Sequence, residues 1–380
     1  QGSIPAELIN GTLPWDSPSM GVFRHGAWCG LAILHGACAL KVTPDAWHTG
    51  SANVVFAVPM DKQSLRRDSG PPFCHAFSLI REECASGAGG SLGDETVQAV
   101  ASRSCSWRPS GPIELVIGAT TNSGMHQSRA HRHFSFHRPT ITDNTMLMYF
   151  TNGDFEEGAN THKDHRSNLL GQGTQRVLDA FRYIGSGCLG TPFRWYLQVD
   201  DDTAFSVPRL QTFLRAAESK LGGPEEESAV IGKFSDWSFK LPSTRSPCGH
   251  IFGGTGLLAT YRATVDVANL GPQRWADASD EVHWGDATLS ELFYEAKCDL
   301  IRMESPFGLG INGVQDEVKR GFWRGLPDTS TAARAALSMH KVTGADYDQV
   351  AGPLFAREPV TEEVYAELVE KAGECRKPGP

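Results

Sequence analysis

An acidic triplet, Asp200-Asp201-Asp202, follows directly after residues 195–199, which are apolar except for Gln198. Three adjacent carboxylates repel one another, so a cation or hydrogen bonds to their ionised forms must offset the repulsion. Mn²⁺ and Mg²⁺ prefer carboxylate and water ligands, and Mn²⁺ also accepts imidazole. An ion held there would bridge the phosphates of a nucleotide and neutralise a departing diphosphate. The alternative interpretation is a solvated acidic turn or helix cap.

Four further patterns contain residue types that suit the same chemistry. The glycine-rich residues 251–256 permit close approach of the backbone to a ligand, although a structural turn is the alternative. The other three are Thr120-Thr121 followed by Arg129, Gly285-Asp286 with Ser290, and Leu337-Ser338-Met339-His340-Lys341. Taken alone, the histidine of the last pattern could equally be a core or surface residue.

In this order the patterns resemble the Fringe and β1,3-glycosyltransferase family, including the Fringe-like proteins of plants and fungi. The similarity covers about residues 113–343. Five segments of this chain resemble segments of the family in the same order. Residues 117–129 resemble its nucleotide-binding first strand and loop, residues 195–205 its strand with the Asp-Asp-Asp motif, and residues 252–256 its Gly-Gly-x-Gly segment. Residues 285–290 resemble the stretch with its catalytic aspartate, and residues 337–341 its terminal Ser-Phe-His-Lys segment.

The resemblance implies a GT-A fold, which is Rossmann-like, and an inverting glycosyltransferase that depends on Mn²⁺, or on Mg²⁺. The implied reaction moves a hexose or N-acetylhexosamine from a UDP-sugar to a hydroxyl of a glycan or glycoprotein, forming a β1,3 linkage. It also implies residence in the secretory pathway, in the Golgi lumen, or secretion.

By the same resemblance, Asp202 and His340 bind the metal, and Asp286 is the general base that removes the proton of the acceptor hydroxyl. The expected contacts with the donor nucleotide involve Thr120, Thr121, Arg129, Asp200, Asp201, Gly253 and Gly254. Of these, Asp200 and Asp201 are expected to contact the ribose or to complete the coordination shell of the metal.

The sequence departs from the family pattern in two places. Ser305-Pro306-Phe307-Gly308 stands where many relatives carry Phe-His, so the metal-binding histidine is either His340 or missing. The acidic pair that the family carries before a Val-x-x-Gly pattern matches Asp280-Glu281 as well. The general base is therefore Asp286 or Glu281 at this point.

Strands alternate with helices along the chain, which predicts an α/β fold with a mainly parallel central sheet flanked by helices. Apolar runs predict strands, and helical spacing of apolar residues predicts helices. The predicted strands are 54–58, 113–118, 145–150 and 194–199, and the predicted helices are 176–184, 208–221 and 257–267. The triplet then lies at the carboxyl end of a strand, where open α/β sheets bind their ligands.

Ser110-Gly111-Pro112 is typical of a boundary between domains. We expect an N-terminal extension or subdomain of unknown role (1–110), a catalytic domain (111–345) and a C-terminal tail or helix (346–380). The histidines 126, 131, 133 and 137 suit no common zinc motif, which favours a solvated, arginine-rich segment there.

The composition narrows the classes of partner. A net charge of −9 argues against a nucleic-acid surface, and no apolar run reaches the length of a membrane helix. The start at Gln1 rather than Met is compatible with earlier removal of a signal peptide or anchor. The nine cysteines contain no Cys-x-x-Cys pair, which argues against a zinc ribbon or a thioredoxin-type motif. They are compatible with several disulfides and one free thiol in an oxidising compartment, and also with nine reduced thiols in a cytosolic enzyme, and the family resemblance favours the first.

Two other classes of function share these features. A catalytically inactive protein of the same fold would bind a sugar or nucleotide without turnover. A metal-dependent phosphohydrolase would also use clustered aspartates, with water as the acceptor.

Overall fold

The computed structural model describes residues 54–58, 78–81, 112–121, 129–150, 176–235, 246, 248–282, 285–303, 307–310 and 329–374. All of them belong to one compact unit of the chain, Cys38–Pro380. The strands within these ranges are β1 (Val54–Val58), β2 (Ser78–Arg81), β3 (Ile113–Thr120), β4 (Thr145–Phe150), β5 (Phe193–Asp200), β6 (Thr203–Phe205), β7 (Ala229–Gly232), β8 (Phe234–Ser235), β9 (His250–Ile251), β10 (Leu257–Thr260), β11 (Asp299–Arg302), β12 (Phe307–Gly310), β13 (Ser338–His340) and β14 (Gly373–Glu374).

Nine of these strands form the central sheet, in the order β14-β11-β7-β10-β5-β3-β4-β1-β2. Six of the nine, β1, β3, β4, β5, β7 and β11, run in one direction, and β2, β10 and β14 run against them. The sheet is therefore mixed and mostly parallel, as the sequence predicts.

Helices cover both faces of this sheet. The α-helices within the described ranges are α1 (His131–His137), α2 (residues 176–185), α3 (Val207–Leu221), α4 (Tyr261–Ala268), α5 (Pro272–Val282), α6 (Gly285–Glu295), α7 (Thr329–Ala335), α8 (Gly352–Phe355) and α9 (Glu362–Lys371). Along β4, Met146 and Met148 pack into the core shared with α2, α4, α5 and α6, whereas Leu147 and Tyr149 pack into the core shared with α1, α3 and α9. This alternation explains why the strand is apolar throughout, since both of its faces are buried.

The predicted strands at 54–58, 113–118, 145–150 and 194–199 are confirmed, with small extensions of the second and fourth. The predicted helix at 208–221 is also confirmed, as α3. Residues 176–184 are helical as predicted, because their apolar side chains cover one face of the sheet. The α/β character with flanking helices is thereby established, and the GT-A designation stays a prediction.

The prediction of a single helix over 257–267 is wrong at its start. Residues Leu257–Thr260 form β10, which lies antiparallel between β5 and β7, and the helix α4 begins only at Tyr261. All four strand residues are buried in the sheet. Thr260 marks the change, because its Oγ1 accepts a hydrogen bond from Ala263 N at 3.2 Å and caps the helix.

Strands from the N-terminal and C-terminal parts of the described ranges extend the central sheet. The strands β1 and β2 extend one edge of the sheet beside β4, and β14 pairs with β11 at the other edge. The buried Arg209 of α3 donates hydrogen bonds to four backbone carbonyls of the C-terminal segments, at Ala333, Ala336, Leu354 and Arg357. The predicted domain boundaries at 110 and 345 stay predictions.

A small second sheet, in the order β12-β13-β6, stands beside the carboxyl end of β5. The chain turns after Asp200, enters β6 at Thr203, and pairs there with β13 in antiparallel register, so that Thr203 is opposite His340. This pairing brings a residue from the end of the predicted catalytic segment to the acidic triplet.

Within the described ranges, no helix combines the length and apolar character needed to cross a lipid bilayer. Cys188 and Cys248 take part in disulfide bonds, and the buried thiol of Cys298 accepts a hydrogen bond from Ser228 Oγ at 3.3 Å.

Candidate functional site

Asp200, Asp202 and His340 converge at the carboxyl end of β5. His340 Nε2 lies 3.3 Å from Asp202 Oδ1 and 3.7 Å from Asp200 Oδ2. One ligand atom from each of the three residues falls within 4.8 Å of the others. Two carboxylates and an imidazole at this separation are a donor set that suits Mn²⁺.

The backbone fixes both sides of this cluster. Val342 N donates a hydrogen bond to Asp202 O at 2.8 Å, next to the register pair of Thr203 and His340. Lys341, which lies between His340 and Val342 in the sequence, adopts a positive φ of 62°, a conformation that is uncommon outside glycine. The strand register and this local turn hold the imidazole of His340 against the triplet.

The glycine-rich segment forms the wall behind His340. Residues Gly253–Thr255 make one short 3-10 turn, and a Cβ added to Gly254 would lie 2.3 Å from His340 Cε1. Thr203 Oγ1 donates to Gly254 O at 2.8 Å, and Ser338 Oγ donates to Thr255 O. The absence of a side chain at position 254 is therefore what allows the imidazole to lie there.

Asp201 points away from the cluster and is held by its own partners. Thr121 Oγ1 donates to Asp201 Oδ2 at 2.6 Å, and Arg129 Nη1 lies 3.5 Å from Asp201 Oδ1. Arg129 Nη2 is also 2.6 Å from Asp202 Oδ2. The sequence does not separate Asp200 from Asp201, because positions 201 and 202 lie in the turn between β5 and β6, where the alternation of side chains along a strand does not apply.

Thr120 joins the cluster from the neighbouring strand. It is the register partner of Asp200 in the parallel pairing of β3 and β5, and its Oγ1 donates to Asp200 Oδ1 at 3.0 Å. Of the residues expected to bind the nucleotide, Thr120, Thr121 and Arg129 thus contact the aspartates themselves. Each of these contacts stabilises an ionised carboxylate.

The three carboxyl groups differ in their pKa values. Burial alone would raise the pKa of Asp202, but the hydrogen bond with His340 and the charges of His340 and Arg129 outweigh it, and the pKa lies below its usual value. Desolvation raises the pKa of Asp201 to about 6. Desolvation also raises the pKa of Asp200, assisted by the Asp202 and Asp286 carboxylates, although 43% of its side chain is exposed. Asp202 is therefore the carboxylate most strongly held in its ionised form.

Asp286 lies beside the glycine turn, in the first turn of α6. Its Oδ2 accepts a hydrogen bond from Gly253 N at 3.4 Å, and its Oδ1 accepts one from Ala287 N at 2.9 Å. Burial raises its pKa, while nearby His250 and the backbone donors act in the opposite sense. The competing candidate Glu281 belongs to α5, and its side chain lies outside the described residues.

The prediction that the histidine cluster is solvated is wrong for His133 and His137. Both are fully buried, one helical turn apart on α1. His133 Nδ1 lies 2.7 Å from the Tyr149 hydroxyl, and the ring of His137 stacks on Phe205 with centroids 3.6 Å apart. Burial lowers the pKa of His133 to about 4 and that of His137 well below its usual value, so both rings are neutral. His126 and the side chain of His131 lie outside the described residues.

A comparison of the chain with protein-family models gave no match, and a comparison with curated proteins also gave no match.

Proposed function

We propose that this chain is an inverting, metal-dependent glycosyltransferase of GT-A fold that transfers a hexose or N-acetylhexosamine from a UDP-sugar. The acceptor would be a hydroxyl of a glycan or glycoprotein, and the linkage β1,3. The observation that carries the proposal is the convergence of Asp200, Asp202 and His340 beside Asp286 and the glycine turn.

The position of the cluster in the sheet supports a nucleotide-binding role. After β3, the chain forms β4 on one side of it and then β5 on the other side. The direction in which successive strands are added to the sheet therefore reverses between β3 and β5. Open α/β sheets bind their ligands outside the carboxyl ends of the strands at such a point. Thr120 and Asp200 are the paired residues at those two ends.

The donor set fits a divalent cation of the Mn²⁺ type. Asp200 Oδ2, Asp202 Oδ1 and His340 Nε2 would hold it, with the remaining positions open to water and to phosphate oxygens. When bound, such an ion supplies positive charge that stabilises the departing diphosphate. The chain's own residues supply the rest of the chemistry.

Asp286 is the proposed general base. Its carboxylate would remove the proton from the acceptor hydroxyl while that oxygen attacks the anomeric carbon. The Gly253 and Ala287 backbone N–H groups restrict the orientation of the carboxylate, and the raised pKa makes it a stronger base than an exposed aspartate. A single displacement needs only this one carboxylate in addition to the metal site, unlike the carboxylate pair of glycoside hydrolysis.

Localisation in the secretory pathway, in the Golgi lumen or outside the cell, is part of the same proposal. It rests on the family resemblance, and the disulfide-bonded Cys188 and Cys248 are compatible with an oxidising compartment.

A screen of donor nucleotides tests the proposal. The protein is incubated with UDP-galactose, UDP-glucose or UDP-N-acetylglucosamine, with Mn²⁺ or with EDTA, and UDP, free sugar, UMP and sugar 1-phosphate are measured. The proposed enzyme releases UDP and sugar from at least one donor in Mn²⁺ and not in EDTA. Release of UMP and sugar 1-phosphate would indicate a phosphohydrolase that cleaves the diphosphate with water, and tight binding of UDP without turnover would indicate an inactive binding protein.

A further inference from the structure

Arg129 forms ion pairs with two of the three aspartates at once. Its Nη2 lies 2.6 Å from Asp202 Oδ2, and its Nη1 lies 3.5 Å from Asp201 Oδ1. The side chains of Asp201 and Asp202 are only 6% and 8% exposed, while that of Arg129 is 36% exposed. The guanidinium thus covers two carboxylates that water reaches poorly, where an ion pair is screened less than on the surface.

This contact divides the two oxygens of Asp202 between two neighbours. Oδ2 faces Arg129, and Oδ1 faces His340 Nε2 at 3.3 Å. A carboxylate held at one oxygen by a guanidinium has a restricted rotation about its Cβ–Cγ bond. The oxygen left toward His340 is the one that joins Asp200 Oδ2 in the candidate cation site.

The charges of the group support the same role. Arg129 is the guanidinium that pairs with Asp201 and Asp202, and a second guanidinium, that of Arg176, also interacts electrostatically with Asp200 and Asp201. Removal of Arg129 would take away the positive charge that is paired with Asp202, and like charges at this distance disfavour the ionised forms.

We propose that Arg129 is a positioning residue, the built-in counter-ion of the acidic triplet, which orients Asp202 so that a single oxygen faces the cation. It acts on the carboxylates and not as a contact to the nucleotide, in contrast to the expectation from the sequence. The part that concerns the cation rests on the proposed function, whereas the part that concerns the metal-free triplet does not.

Arg129→Met tests this role by thermal unfolding in EDTA and in saturating Mn²⁺. In EDTA the variant is expected to melt roughly 2–4 °C below the native protein, because the carboxylate repulsion is uncompensated. In Mn²⁺ that difference is expected to fall by at least half, since the cation offsets the same repulsion. Arg129→Lys is expected to recover part of the loss in EDTA, because it keeps the charge but lacks the two-pronged geometry.

Arg194→Met is the matched control. Arg194 also pairs with two carboxylates, Glu218 at 2.7 Å and Glu225 at 3.6 Å, and its side chain is 39% exposed. Its partners, however, are 25% and 50% exposed, and neither belongs to the candidate cation cluster found among the described residues. The control is expected to change the melting temperature by no more than about 1 °C, and equally in EDTA and Mn²⁺.

Three results would overturn the inference. Arg129→Met and the control could melt alike in EDTA, which would remove the counter-ion role. The loss could persist unchanged in Mn²⁺ while Mn²⁺ still stabilises the native protein, which would make Arg129 an ordinary structural ion pair. Finally, UDP affinity could fall while metal-free stability is unchanged, which would make it a nucleotide contact. If Mn²⁺ does not change the melting temperature of the native protein, the proposed function and the part of the role that concerns the cation would be refuted. The comparison of Arg129→Met with the control in EDTA would still test the role of Arg129 as a counter-ion.

Discussion

The imidazole of His340 lies where a side chain at position 254 would have to be. A Cβ added to Gly254 would be 2.3 Å from His340 Cε1 and 2.5 Å from His340 Nε2. A Cβ essentially never comes within 3.0 Å of such a neighbour in a folded protein. The cluster of Asp200, Asp202 and His340 therefore requires glycine at position 254. The glycine turn contributes to the site by leaving space for the imidazole ring of His340.

Gly254→Ala is expected to weaken Mn²⁺ binding by about 10- to 100-fold, the usual effect of disturbing the support of a metal ligand. The ring of His340 must move away from Asp202, so its Nε2 leaves the cluster. Calorimetric titration with Mn²⁺ measures the change. Gly223→Ala is the control, because the atom nearest to its added Cβ would be Glu225 Oε2, at an ordinary contact distance of 3.5 Å. Native Mn²⁺ affinity in Gly254→Ala would show that His340 is not a ligand.

Asp286→Asn is expected to reduce the transfer rate by a factor on the order of a hundred to ten thousand, with the donor affinity nearly unchanged. The amide keeps the shape of the side chain but cannot take a proton. Glu281→Gln is the comparison, with an expected loss within about tenfold. Reversed results would make Glu281 the base, and two silent substitutions would argue against an inverting transferase of this type.

The pH dependence of transfer gives a second test of Asp286. The base must be ionised to accept a proton, and burial raises its pKa above the usual aspartate value. We therefore expect kcat/KM to fall as the pH falls toward that raised pKa, and the residual activity of Asp286→Asn to lack this acidic limb. An acidic limb that is identical in both proteins would assign it to another group.

The buried histidine pair predicts a loss of stability in acid. Both rings are neutral in the folded protein, so between pH 6.5 and about 4 the unfolded chain binds protons that the folded chain does not. The free energy of unfolding therefore decreases as the pH is lowered through this range. For His133, the change in pKa from 6.5 to about 4 corresponds to about 3 kcal/mol.

His137→Phe isolates this effect, because Phe keeps the stacking on Phe205 and removes the titrating ring. The pKa of Asp201 is raised to about 6, so the contribution of this residue to the free energy of unfolding increases as the pH is lowered. Because the variant and the native protein both contain Asp201, this contribution cancels when the two are compared. Urea unfolding at pH 7 and pH 5 should show a smaller loss of free energy in the variant. An equal or larger loss would contradict the account of the pair.

The sequence predicts the strands around the site well, because β3, β4 and β5 are buried on both faces and their apolar runs are nearly unbroken. It fails at residues 257–267, where a short central strand passes directly into a helix, so one apolar stretch contains two elements.

The composition of the cation cluster is only partly predictable. Asp202 and His340 are 138 positions apart in the chain, and their meeting depends on the pairing of β6 with β13, which no local pattern reveals. Only the family resemblance predicts it.

The sequence does not predict the burial of His133 and His137, because their polar neighbours resemble a surface segment. The spacing of four residues between the two histidines does place them on one face of a helix.

We propose that Asp200, Asp202 and His340 hold a divalent cation through which UDP is bound. Calorimetric titration of UDP into the native protein, with Mn²⁺ or with EDTA, tests it most directly, with Asp202→Asn and His340→Ala as the variants and Arg194→Met as the control. We expect UDP to bind the native protein and the control in Mn²⁺ only, and to lose most of its affinity for both variants. Equal affinity in Mn²⁺ and EDTA, or unchanged affinity in the variants, would contradict the claim.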